Sequence, residues 1–588
     1  MERNAVTAML LIFLLWMGYI LFFAPKPKPK PELAQEQVRQ EETAAKKMTE
    51  PEPAAEQMLE QPGQEQISRA DTVEVPVDTV VVSSDLYEYH FVTRGGVMTR
   101  AWLKQYPAFK LGDKKHSQST GPVQLIPVEE NRFLYTRLHL KNLEKPIELG
   151  SRHFAASTLG LNLGAGRRQQ EGSVEFVHSL RDGQKIKIVY TFRHDSYLIN
   201  AELHLPGELH GSKENAVEVI LGPSLVSNEK NLDDDYNDYG VVYYDKGEVI
   251  KKSLKDLGKS DWAPSGEHSI LWGGVKSKYF IGTFFVPESP MAAMTGTGNQ
   301  ESKNLEFRGM FPIPAASKPI NLSLYIGPQS YEQFTKLNYG LPKLLQYGWS
   351  IIQPICKIII AILLWMHKWI DNYAVIIVLF AVLVRVVFHP LTIKSTKSQI
   401  KMQQIQPLTT QLREEYKDDP QKIQQETLRL YREHKVNPLG GCLPLLIQMP
   451  VFFALFWVFR LTIEFRGAEA FGWIHDLSQP DPYYILPVVM GATTFLQQKL
   501  TPTATDPRMK PMMYMMPVFM VVIFIRFSSG LVFYYTIFNI LQIFQQIYIN
   551  KRYHAPAPAL AKPAAKRPQA AVVSTGSRGK KKKAGRKK

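Results

Sequence analysis

The sequence has 588 residues, of which 45% are hydrophobic, and its formal net charge is +16. Its two cysteines, Cys356 and Cys442, exclude a disulfide scaffold and any zinc site of the usual Cys/His spacing. Apolar residues are concentrated in one run at 5–23 and in several runs within 349–549. This distribution predicts membrane spans separated by a soluble domain.

The first predicted element is an N-terminal membrane anchor within residues 1–23. The apolar run Ala5–Phe23 is long enough to span a bilayer, and the Pro-Lys repeat after it contains no small-residue cleavage site. Residues 24–70 are rich in Pro, Glu, Gln, Lys and Ala and lack aromatic residues. Because such a segment cannot bury enough apolar surface to offset the entropy lost on ordering, we expect a disordered linker.

Strand-like alternation dominates residues 71–340. Segments such as Lys185–Tyr190 alternate polar and apolar residues, and turn dipeptides such as Asp182-Gly183 separate them. Many short strands of this kind predict an all-β sandwich domain. The acidic segment Asn231–Asp238 resembles a calcium-binding loop but lacks the glycine and the glutamate that such a loop requires. We therefore interpret it as a solvated loop.

The C-terminal half contains six apolar segments. They lie at about 349–367, 373–393, 441–461, 483–499, 512–527 and 530–549. The polar stretch 394–439 and the tail 551–588 are rich in lysine and arginine, so the positive-inside rule places both in the cytoplasm. If the first of the six segments spanned the membrane, the stretch 394–439 would lie outside, against that rule.

We therefore predict that residues 345–370 form an amphipathic helix along the outer membrane surface. Five spans then follow within residues 371–550. With the N-terminal anchor, this prediction gives six spans in total. Both termini lie in the cytoplasm, and residues 24–345 lie outside.

The basic stretch between the first two of these five spans predicts a helical hairpin over residues 394–436. Apolar residues recur at helical spacing on both sides of Asp419-Pro420, a dipeptide that is typical of a helix start. Two amphipathic helices joined by so short a connection must run antiparallel.

One arginine, Arg385, lies inside a predicted span. Nine residues separate it from Lys394, which places it about 14 Å from that end of the helix. Its side chain either extends to the cytoplasmic head groups or faces a wet cavity within the bundle. No aspartate or glutamate lies within the spans apart from their ends, which favours a counter-ion that another molecule supplies.

Other polar residues in the spans could line the same cavity or could form hydrogen bonds between helices. They are Gln448, Gln497, Gln498, Thr536, Asn539, Gln542 and Gln545. A group of methionines opens the fifth of the six apolar segments and either fills gaps in packing or offers a soft surface to varied apolar partners. The group comprises Met509, Met512, Met513, Met515, Met516 and Met520.

The end of the tail is strongly basic. Its cationic residues are Arg578, Lys580, Lys581, Lys582, Lys583, Arg586, Lys587 and Lys588. They either bind ribosomal RNA phosphates or fix topology and contact anionic lipid, and the sequence leaves both interpretations open. The chain contains no Walker loop and no GxSxG elbow, so we predict neither enzymatic activity nor a cofactor or metal.

Several motifs resemble those of YidC-type membrane protein insertases, the YidC/Oxa/Alb family. They are Lys435–Pro450, Trp473–Ser478 with Asp481–Pro487, Ser529–Tyr535, and Arg385 followed by His389-Pro390-Leu391-Thr392. The large domain after one anchor is similar to the Gram-negative form of that family. The resemblance implies a polytopic α-helical membrane bundle of six spans with a five-helix core, plus an all-β periplasmic supersandwich domain.

The resemblance also implies a hydrophilic groove in which Arg385, Gln448 and Tyr535 match family positions, and we assign Asn539 to the same groove. Ala381 stands where the family often has threonine. Met512, Met513 and Met516 would contact clients.

The implied function is insertion and folding of nascent membrane proteins in the bacterial inner membrane, alone or with the Sec translocon. Ribosomes and lipids are the further partners. A transporter or channel is the first alternative, and a membrane-tethered periplasmic enzyme or glycan-binding protein is the second.

Overall fold

The computed structural model describes residues 76–553 with several gaps. The gaps are 110–118, 128–132, 142, 167–168, 181–182, 213, 259–260, 265–267, 287–289, 315–317, 338, 346, 418, 438–442 and 502–509. The predicted anchor, the predicted linker and the basic tail beyond residue 553 lie outside the described residues.

The first part of the described chain is built from β-strands. They are β1 Thr79–Ser83, β2 Tyr87–Val92, β3 Val97–Phe109, β4 Ser119–Gln124, β5 Leu134–His139, β6 Ile147–Glu148, β7 Ala155–Ala156, β8 Gly160–Asn162, β9 Glu171–Ser179, β10 Lys185–Arg193, β11 Leu198–His204, β12 Ala216–Leu221, β13 Gly240–Asp245, β14 Glu248–Ser253, β15 Ile270–Lys276, β16 Phe280–Phe285, β17 Ala293–Asn299, β18 Asn304–Pro312 and β19 Ile320–Pro328.

These strands form two sheets that pack face to face. One sheet has the order β17-β18-β12-β5-β3-β2-β1-β8, with β4 beside β3 and β6 beside β5, and the other has the order β14-β13-β15-β16-β19-β11-β10-β9-β7. Burial alternates along strands such as β10, so one face of each points into the core. Between the sheets the rings of Phe91 and Tyr190 lie 4.8 Å apart and those of Phe284 and Phe307 lie 5.4 Å apart.

Helices dominate the chain after β19. In chain order the helices are α1 Leu232–Tyr236, α2 Leu254–Leu257, α3 Tyr331–Leu337, α4 Gln353–His367, α5 Tyr373–Gln404, α6 Gln406–Glu415, α7 Pro420–Glu433, α8 Leu443–Leu461, α9 Ile485–Leu500, α10 Lys510–Phe524 and α11 Ser529–Tyr553. A β-rich domain followed by a helical region is thus confirmed. Among the described residues, α5 is the one helix both long and apolar enough to cross a membrane, and shorter apolar helices occur in α4, α8 and α10.

Helix α5 is longer than the sequence predicts. The predicted span ends at residue 393, whereas the helix ends at Gln404. The helix contains Pro390 in its interior. A proline inside a helix removes one backbone hydrogen bond. The Thr392 hydroxyl donates to the Phe388 carbonyl over 3.0 Å, and the Thr396 hydroxyl donates to the Thr392 carbonyl over 2.9 Å, so both side chains are paired with the backbone of their own helix.

The polar segment after α5 forms two short helices, α6 and α7. The carboxylate of Asp419 caps α7 by accepting a hydrogen bond from the Lys422 N–H over 3.0 Å. Neither helix has a fully buried residue. The segment returns to α5 where the Ser398 hydroxyl donates to the Asn437 carbonyl over 3.0 Å.

The long helices run in alternating directions. Contacting residues follow one another in the same order along α5 and α11, and along α9 and α11. These pairs are Phe380 with Tyr534, His389 with Gln545, Thr494 with Asn539, and Leu500 with Asn550. The order is opposite for α8 against α11 and for α9 against α10. These pairs are Phe452 with Tyr535, Phe459 with Gly530, Gly491 with Val521, and Phe495 with Tyr514. Helices α5, α9 and α11 therefore point one way, and α8 and α10 point the other.

Candidate functional site

Arg385 lies on the face of α5 that packs against α11. Its side chain is half-buried, and the guanidinium carbon lies 5.1 Å from the centroid of the Phe538 ring. No carboxylate of the described residues forms an ion pair with it. Its Nε is buried and has no hydrogen-bond partner in the described part of the chain. The arginine is thus held by an aromatic face rather than by a fixed counter-ion.

Gln448 of α8 and the consecutive residues Tyr534 and Tyr535 of α11 complete a cluster with Arg385. The Tyr534 side chain lies close enough to both Arg385 and Gln448 for each to act on its hydroxyl. We call these four residues the Arg385 cluster. Within the described residues, Nε2 of Gln448 and both tyrosine hydroxyls are buried, and none of them forms a hydrogen bond of regular geometry, although Gln448 lies near both hydroxyls.

Aromatic rings form one side of this cluster. The Tyr535 ring lies 5.2 Å from that of Phe452, 5.9 Å from that of Phe524 and 5.4 Å from that of Tyr534. A buried polar atom without a partner costs about 1–3 kcal/mol, so the cluster is expected to be satisfied by water or by a bound polar chain.

The structure brings three of the four predicted groove residues together. The fourth, Asn539, donates from Nδ2 to the Thr494 hydroxyl over 2.8 Å, so its side chain joins α11 to α9. Sequence reasoning missed Tyr534 and Phe538. Their spacing of four residues on α11 was the available signal, because it places both rings on one helix face.

The predicted client-contacting methionines are partly described. Met516 of α10 is 55% exposed, which leaves it available to a partner. The side chains of Met512 and Met513, and the whole basic segment 578–588, lie outside the described residues. Among the residues that are described, no group of three His, Cys, Asp or Glu side chains could hold a metal ion.

A second polar cluster joins the β-rich domain to α8, and it contradicts the solvated loop predicted for residues 231–238. Arg460, near the end of α8, donates from Nη2 to Asp234 Oδ1 over 2.8 Å and to Asp238 Oδ2 over 3.0 Å. Lys278 donates to Asp234 Oδ2 over 2.7 Å. Burial alone would raise the pKa of Asp234, but Lys278 and Arg460 hold that pKa below its ordinary value.

Arg466, five residues after α8, is buried against the same domain. Its Nε donates to Glu229 Oε1 over 2.6 Å, its Nη1 to the Pro107 carbonyl over 2.7 Å and its Nη2 to the Asn228 carbonyl over 3.1 Å. The guanidinium carbon also lies 4.9 Å from the Phe109 ring centroid. We call Arg460, Arg466 and the acidic residues that bind them the domain junction.

Comparisons with known proteins cover both parts of the chain. A family model described as the YidC periplasmic domain matches residues 79–361, and one described as the 60Kd inner membrane protein matches residues 365–556. The protein named "Membrane protein insertase YidC" of Chlorobium luteolum is 32% identical over 100% of both chains. Its namesake from Syntrophus aciditrophicus is 31% identical over 94% of this chain and 100% of that protein.

One solved structure, titled "Active YidC insertase crystal structure with the first transmembrane domain resolved", is 19% identical to this chain. The match covers 82% of this chain and 96% of the chain in that structure, with a TM-score of 0.35.

Proposed function

The chain belongs to the YidC family of membrane protein insertases, and we propose that it inserts nascent proteins into the bacterial inner membrane through the Arg385 cluster. The observation that carries this proposal is Arg385, a cation that has no ion-pair partner among the described residues and lies beside buried polar atoms without regular hydrogen bonds. Such a cluster would offer a client's polar segment a hydrated resting place partway across the bilayer.

The physical benefit is a shorter path through hydrocarbon. Moving a charge across about 30 Å of bilayer core is costly because nothing there solvates it. A cation in a site less polar than water attracts carboxylates more strongly than one in bulk solvent. The membrane potential, worth about 2.3 kcal/mol per charge per 100 mV, and burial of the client's apolar segment would then complete transfer without a nucleotide.

We place five spans at α5, α8, α9, α10 and α11 and a sixth at the N-terminal anchor, with α4 along the outer surface. Both termini and the α6–α7 hairpin would be cytoplasmic, and the β-rich domain would be periplasmic. The alternating helix directions support this arrangement. Contact between the β-rich domain and the C-terminal end of α8 also supports it, because both would lie on the outer side.

Single-cysteine labelling tests this topology. In a chain lacking Cys356 and Cys442, we expect an impermeant thiol reagent to label Glu202→Cys, in β11, in intact spheroplasts. Gln421→Cys, in α7, should react only after the membrane is opened. Both side chains are exposed, so burial cannot explain a difference. Labelling of residue 421 from outside would contradict the proposed orientation.

The hairpin, the methionine surface and the tail would act on the cytoplasmic side. We propose that α6 and α7, which bury no residue fully, form an arm that receives clients. Met512, Met513 and Met516 would offer a soft surface to apolar segments. The Sec translocon is proposed as a partner for larger clients.

Deleting residues 578–588 is expected to weaken co-sedimentation with ribosomes, and most strongly at low salt, because each lost cation removes a phosphate contact. Binding to vesicles containing anionic lipid is the parallel measurement. If ribosome binding is unchanged and insensitive to salt while vesicle binding falls, the tail acts on lipid instead.

Photocrosslinking tests the proposed function directly. A photoreactive amino acid in place of Gln448 or Tyr535 should crosslink to a ribosome-stalled membrane protein, but not to a stalled soluble protein. A probe at Val386, which is 65% exposed one residue from Arg385, is the matched control for the outer face of α5. Crosslinks from position 386 with none from positions 448 and 535 would contradict passage through the cluster.

A further inference from the structure

The polar pair His389 and Gln545 lies on the same interface between α5 and α11 as Arg385. His389, one turn further along α5, is hydrogen-bonded to Gln545 of α11, with 2.6 Å between Nδ1 of the histidine and Nε2 of the glutamine. A spacing of four residues puts His389 on the face of Arg385, about 6 Å nearer the end we propose to be cytoplasmic. A segment entering from that side would pass His389 first.

The assigned orientation of the Gln545 amide sets the role of each ring nitrogen. In that orientation the amide Nε2 donates and Nδ1 of His389 accepts, so a neutral imidazole carries its hydrogen on Nε2. That Nε2 atom has no hydrogen-bond partner among the described residues and is not among their buried unpartnered atoms. The ring therefore presents one oriented donor to an entering molecule.

The pair is not optimised for stability alone. Oε1 of Gln545 is buried without a hydrogen-bond partner in the part of the chain that the structure describes. A bond that served only to join α5 and α11 would be expected to satisfy both ends of the amide, since a buried unpaired oxygen is unfavourable. Asn550 of α11 is paired at both ends of its amide, because its nitrogen donates to the Leu500 carbonyl of α9 over 2.9 Å and its oxygen accepts from Nε2 of Gln546 over 2.8 Å.

We infer that His389 is a second binding subsite for the client's entering segment and that Gln545 is the residue that positions it. This inference rests on the proposed function. A neutral N–H donor suits a main-chain carbonyl, which every client carries, whereas the cation of Arg385 favours carboxylates. The subsite would hold uncharged parts of the entering segment, so its contribution would not depend on client charge.

Insertion rates in proteoliposomes test this inference, with two clients that differ only in carboxylates of the N-terminal tail. His389→Phe keeps a ring but loses the donor, and it should slow both clients roughly fivefold, the equivalent of one hydrogen bond of about 1 kcal/mol. His389→Gln restores a donor and should recover much of the rate. Asn550→Ala, which removes the structural bond, is the matched control.

An unchanged rate in His389→Phe, or a loss no greater than in Asn550→Ala, would overturn the subsite. The same experiment with Arg385→Ala separates the two hypotheses. If Arg385→Ala slows the acidic client and His389→Phe slows neither, the subsite alone is wrong. If Arg385→Ala has no effect on the acidic client, the proposed insertion through the Arg385 cluster is wrong.

A disulfide measurement covers variants that accumulate poorly. In the chain without Cys356 and Cys442, His389→Cys should form a disulfide with a single cysteine in the tail of a stalled client. Val387→Cys is the control, because that side chain is 60% exposed on α5. Equal disulfide formation at both positions would overturn the subsite.

Discussion

Arg385→Ala is expected to reduce insertion of clients with acidic translocated tails tenfold or more, while Arg385→Lys should retain substantial insertion. The expected role is that of a cation, and lysine keeps the charge although it loses the planar guanidinium that lies on Phe538. A contact between opposite charges is worth about 4 kcal/mol at an effective dielectric constant near 20, so a tenfold effect needs only part of that attraction. Insertion rates in proteoliposomes measure the effect.

The decisive comparison changes the client rather than the insertase. A client whose tail carboxylates are replaced by amides should depend much less on Arg385. Arg552→Ala, at an exposed arginine near the end of α11, controls for the general loss of a basic residue. If the amide client remains equally dependent on Arg385, the charge-attraction mechanism is wrong, and the arginine instead keeps the cluster hydrated or the helices in place.

The Arg385 cluster shows how far sequence reasoning reaches. A lone arginine in an apolar run can be recognised without coordinates, because a charge there is unfavourable unless something uses it. Its contact with Phe538 could not be predicted, since it depends on how α5 and α11 are rotated and shifted against each other. The period of the hydrophobic residues does not show which face of a helix packs against its neighbour when nearly every face is apolar, as in α5 between Tyr373 and Pro390.

The domain junction shows where composition misleads. The segment 231–238 contains four aspartates but lacks the glycine and the glutamate of a calcium-binding loop, which favours a solvated loop. Asp234 is instead paired with Arg460, which lies 226 residues further along the chain. No local pattern identifies so distant a partner. The strands of the β-rich domain, by contrast, can be predicted from the alternation of neighbouring polar and apolar residues.

The domain junction also links the β-rich domain to the Arg385 cluster through α8. Helix α8 carries Gln448 toward one end and Arg460 at the other, about 18 Å apart at ~1.5 Å per residue. Tyr279 of the β-rich domain strengthens the attachment at Arg460, because its hydroxyl donates a hydrogen bond to the Arg460 carbonyl over 3.1 Å. The β-rich domain therefore holds the far end of a helix that contributes to the Arg385 cluster.

Acid should weaken this attachment. Burial acts to raise the pKa of Asp234 and Asp238, but Arg460 and neighbouring lysines keep both pKa values below the ordinary value. Carboxyls with lowered pKa values stabilise the folded protein above their unfolded pKa of about 4, and that stabilisation is lost as the pH falls below it. The attachment is therefore expected to be complete at neutral pH.

The second large effect is expected for Arg466→Met, which should lower the unfolding temperature of the detergent-purified protein by several degrees. Glu229 would lose its buried partner, and removing one member of such a pair typically costs about 3–5 kcal/mol. Arg193→Met is the matched control, since Arg193 and its partner Asp195 are exposed by 59% and 52%. Tryptophan fluorescence during heating measures the shift.

A double variant identifies the cause of that loss. Combining Arg466→Met with Glu229→Gln removes both charges, and a buried ion pair replaced as a unit is often nearly neutral in stability. The double variant should therefore unfold at a higher temperature than Arg466→Met alone. Protease cleavage in the loop between α8 and α9 should follow the same order, because a broken junction exposes the segment around residue 466. If the double variant is no more stable than the single one, the arginine stabilises mainly through its bonds to the Pro107 and Asn228 carbonyls rather than by neutralising Glu229.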